Sequence, residues 1–248
     1  MRPEASSTLQ VGAVQLRASP PRDTPHTSGQ LRGHNGTVLV DDFLPVYDVS
    51  DSVATVVDAD PQTVWDALTD VDLIEVGRRK PLVGVLGALR MLPELASHLL
   101  HGERPPAAPE RLRLRDTAET PADQGGWVLL DERAGDEIAL GLVGKFWRPV
   151  IPYVAVAADQ FRDFAEPGYA KTLYSLSVRP LAEGGSLLSG VMRTATTDEH
   201  ARRWFRRYWT LGVGSGAHVL VAGVLELTRE DAERRAGSDR QPAHQTSA

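Results

Sequence analysis

Few side chains in this sequence are placed to do chemistry. Lys145, Arg148, Glu166, Lys171 and Arg193 are the charged residues near predicted strand ends, and they fall among aromatic residues that include Trp147, Tyr169, Tyr174 and Trp209. A charge inside an aromatic pocket is costly unless it is paired or used. Glu166 and Lys171 therefore read either as an acid–base pair or as a salt bridge that closes a loop, and the salt bridge is the simpler reading. His98 and His101 could share a helix face, but no carboxylate pair stands at ligand spacing and no His-Glu-x-x-His occurs, so no metal and no cofactor are expected. The chain has no cysteine, which excludes disulfides, thiolate metal sites and cysteine nucleophiles.

Glycine supplies the other local pattern. Gly212-Val213-Gly214-Ser215-Gly216 looks like a phosphate loop, yet its glycines alternate inside a helical region instead of joining a strand to a helix. Ser215 has Val213 two positions before it, so this is not a nucleophile elbow. Each glycine costs a helix about 1 kcal/mol relative to alanine and so needs a reason. Either the glycines thin the helix beside a cavity, or they serve close packing or a kink. The cavity reading makes Trp147, Tyr169, Tyr174, Trp209, Gly212 and Gly216 the ligand-binding set, with Gly223 on the same stripe. No residue is assigned a catalytic role.

These residues need elements to position them. Residues 1–43 are rich in Ser, Pro, Gly, Thr and Arg and read as a disordered tail, the domain running from 44 to 235 and a polar tail from 236 to 248. Alternation predicts a first strand over 47–57, with Tyr47, Val49, Val53 and Val57 on one face. Asp60-Pro61 then opens a short helix carrying Val64, Trp65 and Leu68. A second, Pro93-interrupted helical pattern covers 82–101, followed by a Pro/Gly/charge-rich connection with an edge segment at Arg111, Arg113 and Arg115. Strands are expected at 127–132 and 137–143, at 153–157, and at 169–179 and 186–196, with turns at 133–136 and Gly184-Gly185. Thr196 and Glu199 have capping-box spacing and open one long helix to Arg235. Short connections between strands make the sheet antiparallel and the class α+β.

At Val57-Asp58-Ala59-Asp60-Pro61-Gln62-Thr63-Val64-Trp65-Asp66-Ala67-Leu68 the chain resembles the START-like, or SRPBCC, superfamily of polyketide cyclases/dehydrases and lipid-transport domains. The stretches Gly141-Leu142-Val143-Gly144-Lys145-Phe146-Trp147-Arg148-Pro149 and Phe164-Ala165-Glu166-Pro167-Gly168-Tyr169-Ala170-Lys171 are similar to those of an uncharacterised bacterial subgroup. The resemblance implies a helix-grip fold, a curved antiparallel sheet around a long C-terminal helix, with a cavity for apolar or amphipathic molecules over roughly residues 46–232. It implies no particular reaction, because one fold serves carriers, sensors and enzymes.

Hydrophobic residues make up 42% of the 248 residues and charged residues 24%, an ordinary globular balance. A net charge of −6 argues against nucleic acid as a partner. No secretory signal is visible, and the protein is expected to be cytoplasmic. Residues 208–225 carry no Asp, Glu, Lys or Arg and follow Arg202, Arg203, Arg206 and Arg207, but their glycines and His218 favour a buried helix over a membrane span. The expected partner is a hydrophobic small molecule. A cyclase/dehydrase-type enzyme is the alternative, and a membrane-associated accessory protein ranks third. A convergence of ionisable groups deep between sheet and helix would favour the enzyme.

Overall fold

The computed structural model describes residues 38–85, 110–119 and 126–239. Strand β1 (Val49–Val57) turns Val53 and Val57 inward and Ser52, Ala54 and Val56 outward. Helix α2 (Pro61–Asp70) starts as its sequence predicts: the Asp60 carboxylate accepts the Thr63 hydroxyl at 2.6 Å and the Thr63 amide at 3.0 Å. Those two bonds stabilise the charged form and hold Asp60 below the usual carboxylate range. α2 buries Val64, Trp65, Ala67 and Leu68. A helix that the sequence pattern did not announce, α3 (Leu73–Arg79), follows at once, capped by Asp72 on the Ile74 amide. Residues 81–85 are helical, and the rest of the 82–101 pattern, with His98 and His101, lies outside the described residues. The expected edge segment at 111–115 is instead an isolated bridge, Asp72 with Arg113, leading into a 3₁₀ turn at Leu114–Glu119.

Two hairpins supply the rest of the sheet: β2 (Val128–Arg133) with β3 (Glu137–Gly144), and β4 (Ala170–Pro180) with β5 (Ser186–Thr196). The second turn needs its glycines. Gly185 has φ +76°, and a Cβ there would come within 2.7 Å of the Val57 carbonyl. The five strands run in the order β1-β5-β4-β3-β2, every pair antiparallel, giving the α+β class. The strand expected at 153–157 does not form. β2 pairs with β3 only as far as Gly141, which leaves room for a bridge between Gly144 and Tyr153 and nothing longer. The chain then makes a single helical turn, α4 (Ala158–Phe161), that buries Phe161.

The expected single C-terminal helix is two. α5 (Glu199–Tyr208) is capped by Asp198, whose carboxylate accepts the Ala201 amide at 2.7 Å; Thr196, the expected cap, belongs to β5 and bonds Asp48. A π-turn at Trp209–Val213 interrupts the helix at Gly212, φ +104°, and α6 (Gly214–Asp239) continues past the expected end at 235. Only glycine adopts that φ without strain. At Gly214 a Cβ would lie 2.7 Å from the Trp209 indole, so the ring folds back over the helix start.

α6, α2 and α3 cover one face of the sheet, called inner here. Val57, Leu140, Leu176, Val178 and Leu188 meet Trp65, Leu68, Val221, Val224 and Leu225 there in one core cluster. Gly223 serves that packing: its Cβ would sit 2.8 Å from Val76 Cγ1, on a side chain with no exposure. Alanine at 223 gains about 1 kcal/mol of helix propensity but incurs overpacking of about 1–3 kcal/mol. Gly223→Ala should therefore lower the urea midpoint, whereas Gly237→Ala, with nothing within 4 Å of its Cβ, should hold or raise it. Equal midpoints would show that α3 yields freely.

The outer face carries the first correction to the domain boundaries. Residues 39–43 were expected in the tail, yet α1 (Leu39–Phe43) packs on β3 and β4 with Leu39 1% and Val40 3% exposed. Buried groups of opposite sign bracket it. Glu137 Oε1 accepts the Leu39 amide at 3.0 Å, and Arg193 Nη1 donates to the Val40 and Leu44 carbonyls at 3.3 and 3.1 Å and meets Asp41 at 2.7 Å. An acid at the helix start and a base at its end match the helix dipole. Leu39–Phe43 therefore pack as part of the domain and not as tail.

Candidate functional site

The register places a polar row on the inner face. Asp51 pairs with Met192, Met192 with Tyr174, and Tyr174 with Leu140, and side chains paired across strands share a face. The next row toward the α5 end holds Val49, Thr194, Thr172 and Leu142, with the two threonine hydroxyls 2.8 Å apart. Asp51 is the exception in a strand that otherwise points Val49, Val53 and Val57 inward. Its side chain is 8% exposed and meets His218 Nδ1 of α6 through Oδ2 at 2.9 Å, while Oδ1 accepts the Ser52 amide at 2.9 Å. A carboxylate on Nδ1 orients the imidazole and leaves Nε2 as its other polar atom.

Tyr174 stands two strands away on the same row. Burial pushes its phenol well above the usual range, with the Asp51 charge and Tyr208 adding to the effect, so it is a neutral donor at physiological pH. Trp127 meets the Tyr174 ring edge-on, centroids 5.1 Å apart. Beyond it, half-buried Trp147, Tyr153, Tyr208 and Trp209 pack on Leu142, Phe146, Ala170 and Phe205. Phe205 is itself 5.7 Å from Trp209, centroid to centroid. α5 is fixed over this end by Arg202, whose Nε meets Asp48 Oδ1 at 2.7 Å. The inner face thus ends in half-buried aromatic rings at the place where the C-terminal helix breaks.

The structure sorts the sequence candidates. It brings Trp147 and Trp209 into one cluster and links Tyr174 to them through Trp127. Tyr169 is on the opposite face, beside Phe164 and under the Lys145 ammonium at 4.2 Å. Gly212 is exposed at the bend and Gly216 is buried. The Glu166–Lys171 pairing does not form: the Lys171 ammonium donates to the Phe161 and Arg162 carbonyls at 3.2 and 2.6 Å, closing α4, and Glu166 is exposed. Burial pulls the Lys171 ammonium down from its usual range, against the opposing pull of Asp163. Among the described residues, shallow surface depressions lie elsewhere. One of about 370 Å³ is beside α4 between Val154 and Phe164, and one of about 210 Å³ is lined by charges of α2, α3 and α6.

Sequence reasoning missed Asp51 and His218. The signal for Asp51 was a carboxylate at an inward position of an alternating strand. His218 is 167 residues away, and only the fold brings it near.

No family model matches the chain, and no curated protein matches it. Among solved structures, a hypothetical protein from Helicobacter pylori aligns over 83% of this chain and 99% of its own, at 10% identity and a TM-score of 0.33. Among the described residues, one helical stretch, Glu199–Ser238, is long and apolar enough to cross a membrane. Its second half buries Val221, Val224 and Leu225 in the core, and the Gly212 bend divides it.

Proposed function

We propose that the protein binds a hydrophobic or amphipathic small molecule at the aromatic end of the inner face, between the sheet and the bend in the C-terminal helix. The observation that carries this is the set of half-buried rings, Trp127, Trp147, Tyr208 and Trp209, gathered at the end of the face that holds the partly buried Asp51–His218 pair. Aromatic walls supply apolar contact, and a few placed polar groups orient what lies between them. The order of elements, with a strand, short helices, antiparallel strands and a long C-terminal helix, supports the helix-grip, SRPBCC-type reading of the fold. Entry would swing Trp209 outward about Gly212, the position where the backbone already leaves helical geometry.

The test is titration with anilinonaphthalene sulfonate and native mass spectrometry of whatever copurifies. Trp209→Ala should weaken the dye about tenfold, for roughly 60 Å² of lost apolar contact at about 25 cal/mol per Å². Unchanged affinity in folded Trp209→Ala and Trp147→Ala proteins would remove this site.

A second reading is general acid–base catalysis of the cyclase or dehydrase kind. It is favoured by a carboxylate–imidazole pair and a protonated phenol on one row of the inner face. His218, held by Asp51, would take or return a proton, and Tyr174 would donate a hydrogen bond to a developing oxyanion.

A further inference from the structure

We propose that α5 and the bend after it form a docking face for an anionic lipid surface, a function that does not depend on the internal ligand. The exposed side of α5 carries Trp204 at 44% exposure, with Leu211 at 84% just beyond the helix in the bend. Trp204 and Leu211 are seven residues apart along the chain, and exposed large apolar side chains set among cationic ones mark a contact surface. His200 precedes Trp204 by one turn, their rings 6.4 Å apart, and the Arg207 guanidinium lies 5.3 Å from the Trp204 ring. At helical spacing residues 200, 203, 204 and 207 share one face, and the side chains of all four are exposed.

Charge selects the partner. Four arginines fall within 202–207 of a chain whose net charge is −6. Arg202 is committed to Asp48 and Glu199, but among the described residues no carboxylate stands within 4 Å of Arg203, Arg206 or Arg207. An exposed indole beside arginines that no described carboxylate meets, followed by an exposed leucine in the bend, fits the interface of an anionic bilayer, where indole sits at headgroup level and arginines meet phosphates. A second copy of the chain fits poorly, because the arginines of two such faces would repel. α6 returns to the core from Val221 onward, so the contact is a surface one and not a span. The same bend borders the proposed ligand site, which would place that site's mouth at the lipid.

The test uses the full-length protein and vesicles of phosphatidylcholine with or without about 30 mol% phosphatidylserine. Cosedimentation is expected with the anionic vesicles alone, declining as salt rises from about 50 to 500 mM. Three guanidiniums at about 1 kcal/mol each set the expected loss for Arg203→Gln/Arg206→Gln/Arg207→Gln at about 100-fold, with an unchanged melting temperature. The corresponding triple lysine variant should restore binding, and Trp204→Ser/Leu211→Ser should weaken it. Absence of binding to anionic vesicles at low salt, or undiminished binding by the glutamine variant, would overturn the proposal. So would a dimer without lipid that Trp204→Ser/Leu211→Ser converts to monomer, since the face would then belong to a second copy.

Discussion

A chain beginning at Pro45 should be less stable than one beginning at Thr37 by about 3 kcal/mol or more. The shorter chain loses Leu39, Val40 and Leu44, which are 1%, 3% and 2% exposed, and uncovers the outer faces of β3 and β4. Leu39→Ala alone should cost about 2–5 kcal/mol, the usual range for emptying a buried leucine site. The truncation also frees Glu137 and Arg193 from the helix they bracket. Glu137 keeps the Ser175 hydroxyl at 2.5 Å and two guanidiniums at 3.7 Å, so the charge is not stranded, but the packing above it is gone. At about 2–4 °C per kcal/mol for a domain of this size, the melting temperature should fall by roughly 6–12 °C. Scanning calorimetry on the two chains checks it. Equal melting temperatures would mean that α1 rests on the sheet without stabilising it.

His218→Leu should destabilise the protein by about 2–3 kcal/mol, less than the 3–5 kcal/mol typical of a fully buried pair because the His218 side chain is 26% exposed. The cost comes from Asp51, left at 8% exposure with only the Ser52 amide on its other oxygen. Replacing both partners, Asp51→Leu/His218→Leu, removes the stranded carboxylate and should recover at least half of the loss, a coupling readable from a double-mutant cycle in urea. Function should not recover with stability. If the pair anchors a ligand, the double variant binds the copurifying molecule weakly. If it does acid–base work, the rate should fall by about 10²–10⁴ while Tyr174→Phe retains the paired ring. A double variant as active as the wild type would reduce the pair to a structural tie between β1 and α6.

Local physics wrote much of this fold into the sequence. Period-two alternation located β1, and the turns at 133–136 and Gly184-Gly185 located both hairpins. Asp60 and Pro61 announced α2 through the valence of its first amides. Tertiary contacts overrode one local rule. Capping-box spacing pointed to Thr196, but Thr196 bonds Asp48 across the sheet, and Asp198, which the spacing did not single out, caps the last helix. Residues 39–43 were read together with the Ser/Pro/Gly-rich segment before them, although three of the five, Leu39, Val40 and Phe43, are apolar. Leu39 and Val40 are buried on the sheet, where Glu137 and Arg193, about a hundred residues and more away, hold the two ends of the turn.

The same division runs through the site. The aromatic residues and the glycines were visible by type, but their roles were not. Gly212 makes a bend, Gly214 admits the Trp209 ring and Gly223 admits Val76, and each role depends on what lies across from the glycine. Tyr169 stands just before β4 and Tyr174 within it, five positions on, and the structure puts them on opposite faces of the sheet. The sequence alone therefore determined the α+β class, the hairpins and the inventory of rings. The tertiary structure alone decided that Asp51 meets His218 and that the helix breaks over the rings. A pairing across 167 residues has no period, cap or spacing to announce it, and exists only once sheet and helix have packed.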